Sequence, residues 1–200
     1  QLLHTHAELY TAVFMERQHG KLLSRYLAES RKNALSTILY LNCHILMESQ
    51  NRRLKEWGRF HRDGSPVKLY GTYYSCCLNS SWTDFFMQSI EDLRGYDIAG
   101  IFFDGPGAHP CYCRFCGAAY RKRYGKSMEK ASAEAVKAFA QESAMEFMKR
   151  ASAKVKEVNP RWLAYYNLGL MHSRMTVAQM REVLAANDIV GTEGGFQFYG

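Results

Sequence analysis

The sequence predicts an α/β fold of the (β/α)8 barrel type, present in this 200-residue chain as an incomplete barrel. Three observations carry the prediction. Short apolar runs alternate with stretches of helical period, and that alternation builds a parallel sheet. The apolar runs end on polar side chains, Asn42, Asp104, Asn167 and Glu193, and a barrel gathers its reactive groups at the carboxyl ends of its strands. The Gly-rich phosphate loop that would support a doubly wound open sheet is missing.

The elements follow in order. Residues 1–18 have no clean period, and His4 and His6 sit there among small residues, as in a loop. Residues 19–33 turn helical, with Leu22, Leu23, Tyr26 and Leu27 on one face. Residues 36–42 are apolar and β-rich, a buried strand followed by Cys43 and His44. Residues 48–59 suit a short helix, and Arg62-Asp-Gly-Ser-Pro66 is a turn by composition. Residues 67–77 read as extended. Residues 82–93 have the helical period, with Phe85, Phe86, Ile90 and Leu93 inward.

The run 98–103 is a strand ended by Asp104 and the Gly105-Pro106-Gly107 that follows. A short helix is expected over 117–124, closed by Gly125, and a long one over 128–158, ended by Asn159-Pro160. Residues 162–167 and 188–193 are further strands, separated by a helix over 176–186 with Thr176 as its N-cap. A full barrel takes eight strands and about 250 residues. Four strands are clear here and residues 67–75 suggest a fifth. Residues 1–200 are therefore expected to be one barrel domain, a piece of a longer barrel that begins in the loop after its first strand.

Composition narrows the function classes. No apolar run approaches the roughly 20 residues of a membrane span, and no signal-peptide pattern is visible. The net charge is +7, and the basic residues, among them Arg52, Arg53, Arg121, Lys122, Arg123, Lys149 and Arg150, are scattered along the chain. Scattered charge reads as solvated helix faces, not as a nucleic-acid surface. Six cysteines are too few for a disulfide scaffold, and their clustering favours a metal and a reducing compartment. A cytoplasmic location is the expectation, and the alternative is a signal peptide removed ahead of Gln1.

Two candidate chemistries stand out. Asp104 and Glu193 are carboxylates on different strand ends, and Gly194-Gly195 leaves room for close approach at the second. An Asp before Gly-Pro often only fixes a loop. A pair of strand-end carboxylates, however, is what glycoside cleavage requires: one protonates the leaving oxygen and the other attacks the anomeric carbon or activates water. Asp92, Asp97 and Asp188 fall at the far ends of their elements and are discounted, while Glu8 and Glu48 are reserves. His4, His6, Asn42, His44, Tyr166 and Asn167 are candidates to bind sugar hydroxyls, and Trp57 and Trp82 either stack on a sugar or fill the core. The second chemistry is Cys111-x-Cys113-x-x-Cys116. Three thiols so close suit a soft metal such as zinc, with a fourth ligand from elsewhere. Cys43 reads as a small buried hydrophobe.

These residues carry a resemblance. Gly100-Ile-Phe-Phe-Asp-Gly-Pro106, the cysteine loop, Tyr120-Arg-Lys-Arg-Tyr-Gly125, Cys77-Leu-Asn-Ser-Ser-Trp82 and Val190-Gly-Thr-Glu-Gly-Gly195 resemble a group of bacterial glycoside-hydrolase-like barrels. That group is called hypothetical glycosyl hydrolase 6 or, loosely, alpha-amylase-like. The cysteine loop also resembles that of the family 42 beta-galactosidases, in which three such cysteines and an earlier one hold a zinc. The resemblance implies a structural Zn2+ on Cys111, Cys113, Cys116 and Cys77, with Cys76 and His109 as other candidates for the fourth place. The beta-galactosidase family ends the matching strand in Asn-Glu where this chain has Phe103-Asp104. The resemblance therefore implies a nucleophile at Asp104, as in alpha-galactosidase, fucosidase and amylase barrels; Glu193, whose longer side chain can reach a leaving-group oxygen from the side, is the expected acid/base.

The function expected is cleavage of an O-glycosidic bond, with a carbohydrate as partner, neither nucleic acid nor membrane, and self-association into a homo-oligomer left open. A catalytically inactive carbohydrate-binding barrel is the alternative. A basic zinc-containing nucleic-acid module ranks lower, because strand-end carboxylates repel phosphate.

Overall fold

The structure is a computed structural model, and it describes residues 2–3, 17–46, 48–168 and 175–191. These residues fall into two compact units. One comprises residues 1–43, 87–105 and 148–200, and the other residues 44–86 and 106–147.

Among the described residues the first unit is built on a five-stranded parallel sheet. Its strands are β1 (Leu2–Leu3), β2 (Ile38–Asn42), then Gly100–Asp104, Leu163–Asn167 and Ile189–Gly191. With the hairpin of the other unit numbered β3 and β4, these last three are β5, β6 and β7, and the sheet order is β1-β2-β5-β6-β7. Helix α1 (Arg17–Lys32) precedes β2. The buried row Leu39, Leu41, Ile101, Phe103, Ala164 and Tyr166 is at most 1% exposed. Phe103 and Tyr166 stack at 4.6 Å between ring centroids. Gly100 opens β5 because the strand runs tight against β6: a Cβ there would lie 2.4 Å from the Leu163 carbonyl oxygen.

Strand register matters most for the site. Asn42 pairs with Asp104, Asp104 with Asn167, and Asn167 with Gly191. Three of the expected polar endings, Asn42, Asp104 and Asn167, therefore form one row across the carboxyl edge of the sheet. Among the described residues the sheet is open, not a closed barrel.

The second unit holds a 3-10 turn over Glu48–Arg53 and the single-turn α2 (Leu54–Trp57). The hairpin of β3 (Lys68–Leu69) and β4 (Tyr73–Tyr74) follows, and then α4 (Arg114–Tyr124). Helix α3 (Trp82–Glu91) and helix α5 (Ala133–Val158) each have residues in both units. Cys77, Cys111, Cys113, Cys116, Tyr120, Met128, Val136 and Phe139 form a buried cluster in this unit. Helix α6 (Val177–Ala186) belongs to the first unit and opens with a capping box between Thr176 and Gln179.

Four expectations need correction. Residues 67–75 are not a strand of the parallel sheet, since β2 pairs directly with β5. Tyr70 and Gly71 both take positive φ, 54° and 77°, which folds that stretch into a tight antiparallel turn. Leu2–Leu3 pair with β2, so the stretch expected as loop over residues 1–18 opens on a strand. Among the described residues Asp104 ends the third parallel strand in chain order, whereas counting a first strand ahead of the chain, 36–42 and 67–75 would make it the fourth. Finally, α4 starts at Arg114 and not at 117, because the Cys113 sulfur caps it by accepting from the Cys116 amide.

Candidate active site and metal centre

Asp104 stands at the carboxyl end of the central strand β5, and its carboxylate is held from both neighbouring strands. The Asn167 amide of β6 donates to one oxygen at 2.9 Å. The phenol of Tyr40, on β2, donates to the other. Asn42 Nδ2 lies 3.4 Å from the Tyr40 oxygen and donates to it. Alternation along a strand puts Tyr40 and Asn42 on one face, and in-register pairing puts Phe102, Asp104, Tyr165 and Asn167 on that same face. Burial, and then the Asp104 carboxylate, pushes the Tyr40 phenol far above its ordinary range.

The sequence-predicted residues divide as follows. Asn42, Asp104 and Asn167 are brought together as the row predicts. Tyr166 is on the opposite face, fully buried, and donates to the Met148 carbonyl at 3.4 Å. It is a core residue. Its neighbour Tyr165 shares the face of Asp104, and a one-residue step in register is enough to exchange them. His44 belongs to the other unit, where its Nε2 lies 3.1 Å from the Tyr70 hydroxyl. Glu193, His6, His4 and Glu8 lie outside the described residues. Trp57 and Trp82 are buried at 6% and 2%, stacked on Phe85 and Phe147, so both fill the core. Tyr40 was missed from sequence. The available signal was its place two residues before Asn42, which puts it on the same face of the strand.

The cysteine cluster lies wholly within the second unit. Cys77, Cys111, Cys113 and Cys116 are all buried, with their sulfurs within 4.8 Å of one another. Cys77 Sγ is 3.4 Å from both Cys113 Sγ and Cys116 Sγ. These separations are too long for disulfides, whose sulfurs lie roughly 2.05 Å apart. Four sulfurs at roughly 2.3 Å from a tetrahedral ion would be roughly 3.8 Å apart, inside the observed spread. Local structure builds the set: the Cys113 sulfur caps α4, which carries Cys116 on its first turn, and Asn79 Nδ2 donates to Cys116 Sγ at 3.4 Å. Asn79 is itself tied to Ser143 at 3.0 Å.

Bonding to Cys111 pushes Cys77 and Cys116 upward, Cys111 is pulled down by Cys113, Cys116 and Cys77, and Cys113 is pulled down as well, its bonding to Cys111 being outweighed by that to Cys116 and Cys77. Cys76 is buried outside the cluster and is pushed up to about 12 by that burial. The four cysteines are thus a group able to hold a metal ion, with Cys77 and not Cys76 as the fourth member.

No protein-family model and no curated protein matches the chain. Solved structures do. A beta-galactosidase from the Antarctic haloarchaeon Halorubrum lacusprofundi is similar at a TM-score of 0.73 and 18% identity, over 94% of this chain and 35% of that one. A family 42 beta-galactosidase from G. stearothermophilus is similar at a TM-score of 0.69 and 12% identity, over 94% of this chain and 34% of that one. Alpha-L-fucosidase isoenzyme 2 from Paenibacillus thiaminolyticus is similar at a TM-score of 0.66 and 18% identity, over 83% and 24%. The chain spans about a quarter to a third of the length of these proteins. At these identities the likeness is one of fold, a glycosidase-like α/β architecture with a parallel sheet.

Proposed function

We propose that the protein is a glycoside hydrolase built on part of a (β/α)8 barrel, with Asp104 as nucleophile and Glu193 as general acid/base. One observation supports this most: a carboxylate stands at the carboxyl end of the central parallel strand, gripped by Tyr40 and Asn167 from both sides. Fixed orientation is what a nucleophile needs to meet an anomeric carbon in line. Asn42, Asn167 and Tyr165 share its face and offer amide and phenol groups to sugar hydroxyls. The glycosidase-like fold supports the same reaction class.

In the proposed reaction the Asp104 carboxylate attacks the anomeric carbon while the leaving oxygen takes a proton from Glu193. Water then displaces Asp104, with Glu193 as base. Cys77, Cys111, Cys113 and Cys116 are proposed to hold zinc. With four protein ligands and no open position, the ion would supply structural tethering within its unit, not chemistry.

The test uses the full-length protein, an activated aryl glycoside and added azide. Asp104→Gly should lose nearly all activity and regain turnover with azide, yielding a glycosyl azide of inverted configuration. Glu193→Ala should still cleave substrates with good leaving groups and lose the basic limb of its pH profile. A wild-type rate in Asp104→Gly would sink the assignment. Sugar binding without any cleavage would favour a carbohydrate-binding barrel instead.

A further inference from the structure

Arg59 is 2% exposed and is among the largest fully buried side chains. Its Nη1 donates to the His109 carbonyl at 2.9 Å, its Nη2 to the Gly107 carbonyl at 2.9 Å, and its Nε to the Cys76 carbonyl at 3.3 Å. All three acceptors are neutral. Buried charges are ordinarily paired with an opposite charge, because desolvating a lone cation is costly. None of the acceptors found for Arg59 among the described residues is a carboxylate.

Among the described residues, a counter-charge for Arg59 can come from the cysteine cluster. Arg59 lines a cavity of about 10 Å³ together with Cys77, Cys111 and Cys116. Four protonated thiols would leave the guanidinium uncompensated. Four thiolates around a divalent cation carry a net charge of −2. We propose that Arg59 is the buried counter-cation of the Cys77–Cys111–Cys113–Cys116 metal centre, so that the chain is built to prefer the metal-loaded tetrathiolate over the empty site.

The same guanidinium also joins the two segments that carry the ligands. The Cys76 carbonyl adjoins Cys77, and the Gly107 and His109 carbonyls lie just ahead of Cys111. Charge and clamp therefore converge on one side chain. The charge role makes a distinct prediction: it matters more when the metal is bound than when it is absent. The inference rests on reading the cysteine cluster as a metal site, and the experiment separates the two.

Zinc affinity is measured by chelator competition on wild type, Arg59→Lys and Arg59→Gln, and Co2+ is substituted to read sulfur coordination by thiolate-to-cobalt absorption. Lys keeps the charge but cannot make the three-way fork, whereas Gln keeps a donor and loses the charge. Arg59→Gln should bind zinc at least about tenfold more weakly, on the scale at which buried charges interact, with a four-sulfur cobalt spectrum like that of wild type. Arg59→Lys should stay within about threefold of wild type. Equal losses in the two variants, or an unchanged Arg59→Gln, would overturn the counter-charge and leave the metal centre standing. Wild type that takes up neither metal would overturn the centre and the proposal together. Should Arg59→Gln fail to fold, Arg59→Lys decides alone: a tenfold loss of zinc affinity counts against the proposal, and near-wild-type affinity supports it.

Discussion

Tyr40 donates its phenolic proton to Asp104 from the adjacent strand, two residues before Asn42, the register partner of Asp104. A phenol raised in this way keeps its proton. The stabilisation it gives is fully present below pH about 10, the ordinary tyrosine value, and is lost only at higher pH. Tyr40 is therefore a fixed donor that orients a carboxylate, not a base. Tyr40→Phe should lower stability by about 1.5–3 kcal/mol, the range for hydrogen bonds to charged groups, as read by urea denaturation. If Asp104 is the nucleophile, the same change should lower kcat by roughly ten- to a hundredfold with little change in KM, the signature of lost positioning. A Tyr40→Phe protein with wild-type kcat would separate the hydrogen bond from catalysis.

The two adjacent cysteines should part company on substitution. Cys77→Ser should lose most of the bound metal and melt at lower temperature, because its sulfur sits among the other three. Cys76→Ser should keep one metal per chain. Elemental analysis of both proteins, with thermal melts before and after a chelator, checks this. Chelation should lower the melting temperature of wild type and leave that of Cys77→Ser unmoved.

Glu91 supplies a pH dependence at the acid end. Bonds from Arg94, and then from Lys154, pull its carboxyl down to about 2. A lowered folded value means that the stabilisation is present above the ordinary value of 4.5 and is lost as pH falls toward 2. Wild type should therefore exceed Glu91→Gln in denaturation midpoint at pH 6, with the gap closing by about pH 2. The gap should also shrink in high salt, since the pair is exposed to solvent. A constant gap across that range would rule out the ion pairs as its cause.

Gly100→Ala tests the tight approach of β5 to β6. The added methyl would meet the Leu163 backbone at 2.4 and 2.7 Å, and backbone cannot move aside as a side chain can. A loss of about 1–3 kcal/mol is expected, the usual range for overpacking, measured by chemical denaturation. A neutral result would mean that the strands separate more readily than their register implies.

The sheet was legible because short apolar runs and strand-end punctuation are local signals. Asn42, Asp104 and Asn167 could each be read as a strand end from its own neighbours, and register then placed them in a row. Tyr40 was not legible as a partner of Asp104, because the contact joins strands 64 residues apart in sequence. Tyr166 was misplaced by one step of alternation, which sequence resolves only when one face is clearly polar. Both faces of β6 carry a tyrosine. The hairpin at 67–74 was misread because its composition suits a strand, while Tyr70 takes a left-handed conformation that tyrosine rarely favours. The cysteine triplet announced itself by spacing. Its fourth member, Cys77, was named from the resemblance with Cys76 and His109 as alternatives, and the position of its sulfur, 3.4 Å from those of Cys113 and Cys116, singles it out from its equally buried neighbour Cys76.

The order of synthesis gives the cysteine cluster a further meaning. Cys77 leaves the ribosome 36 residues before Cys113 and 39 before Cys116, and the whole of β5 is made in between. A metal joining them would act as a late-closing cross-link. It would remove loop entropy from the unfolded chain much as a disulfide does, yet remain reversible by a chelator. Until the last cysteine emerges, Cys77 would be an unpaired thiol on a nascent chain, open to oxidation. Metal supply during translation, and not only afterwards, would then govern how much of the protein reaches its native state.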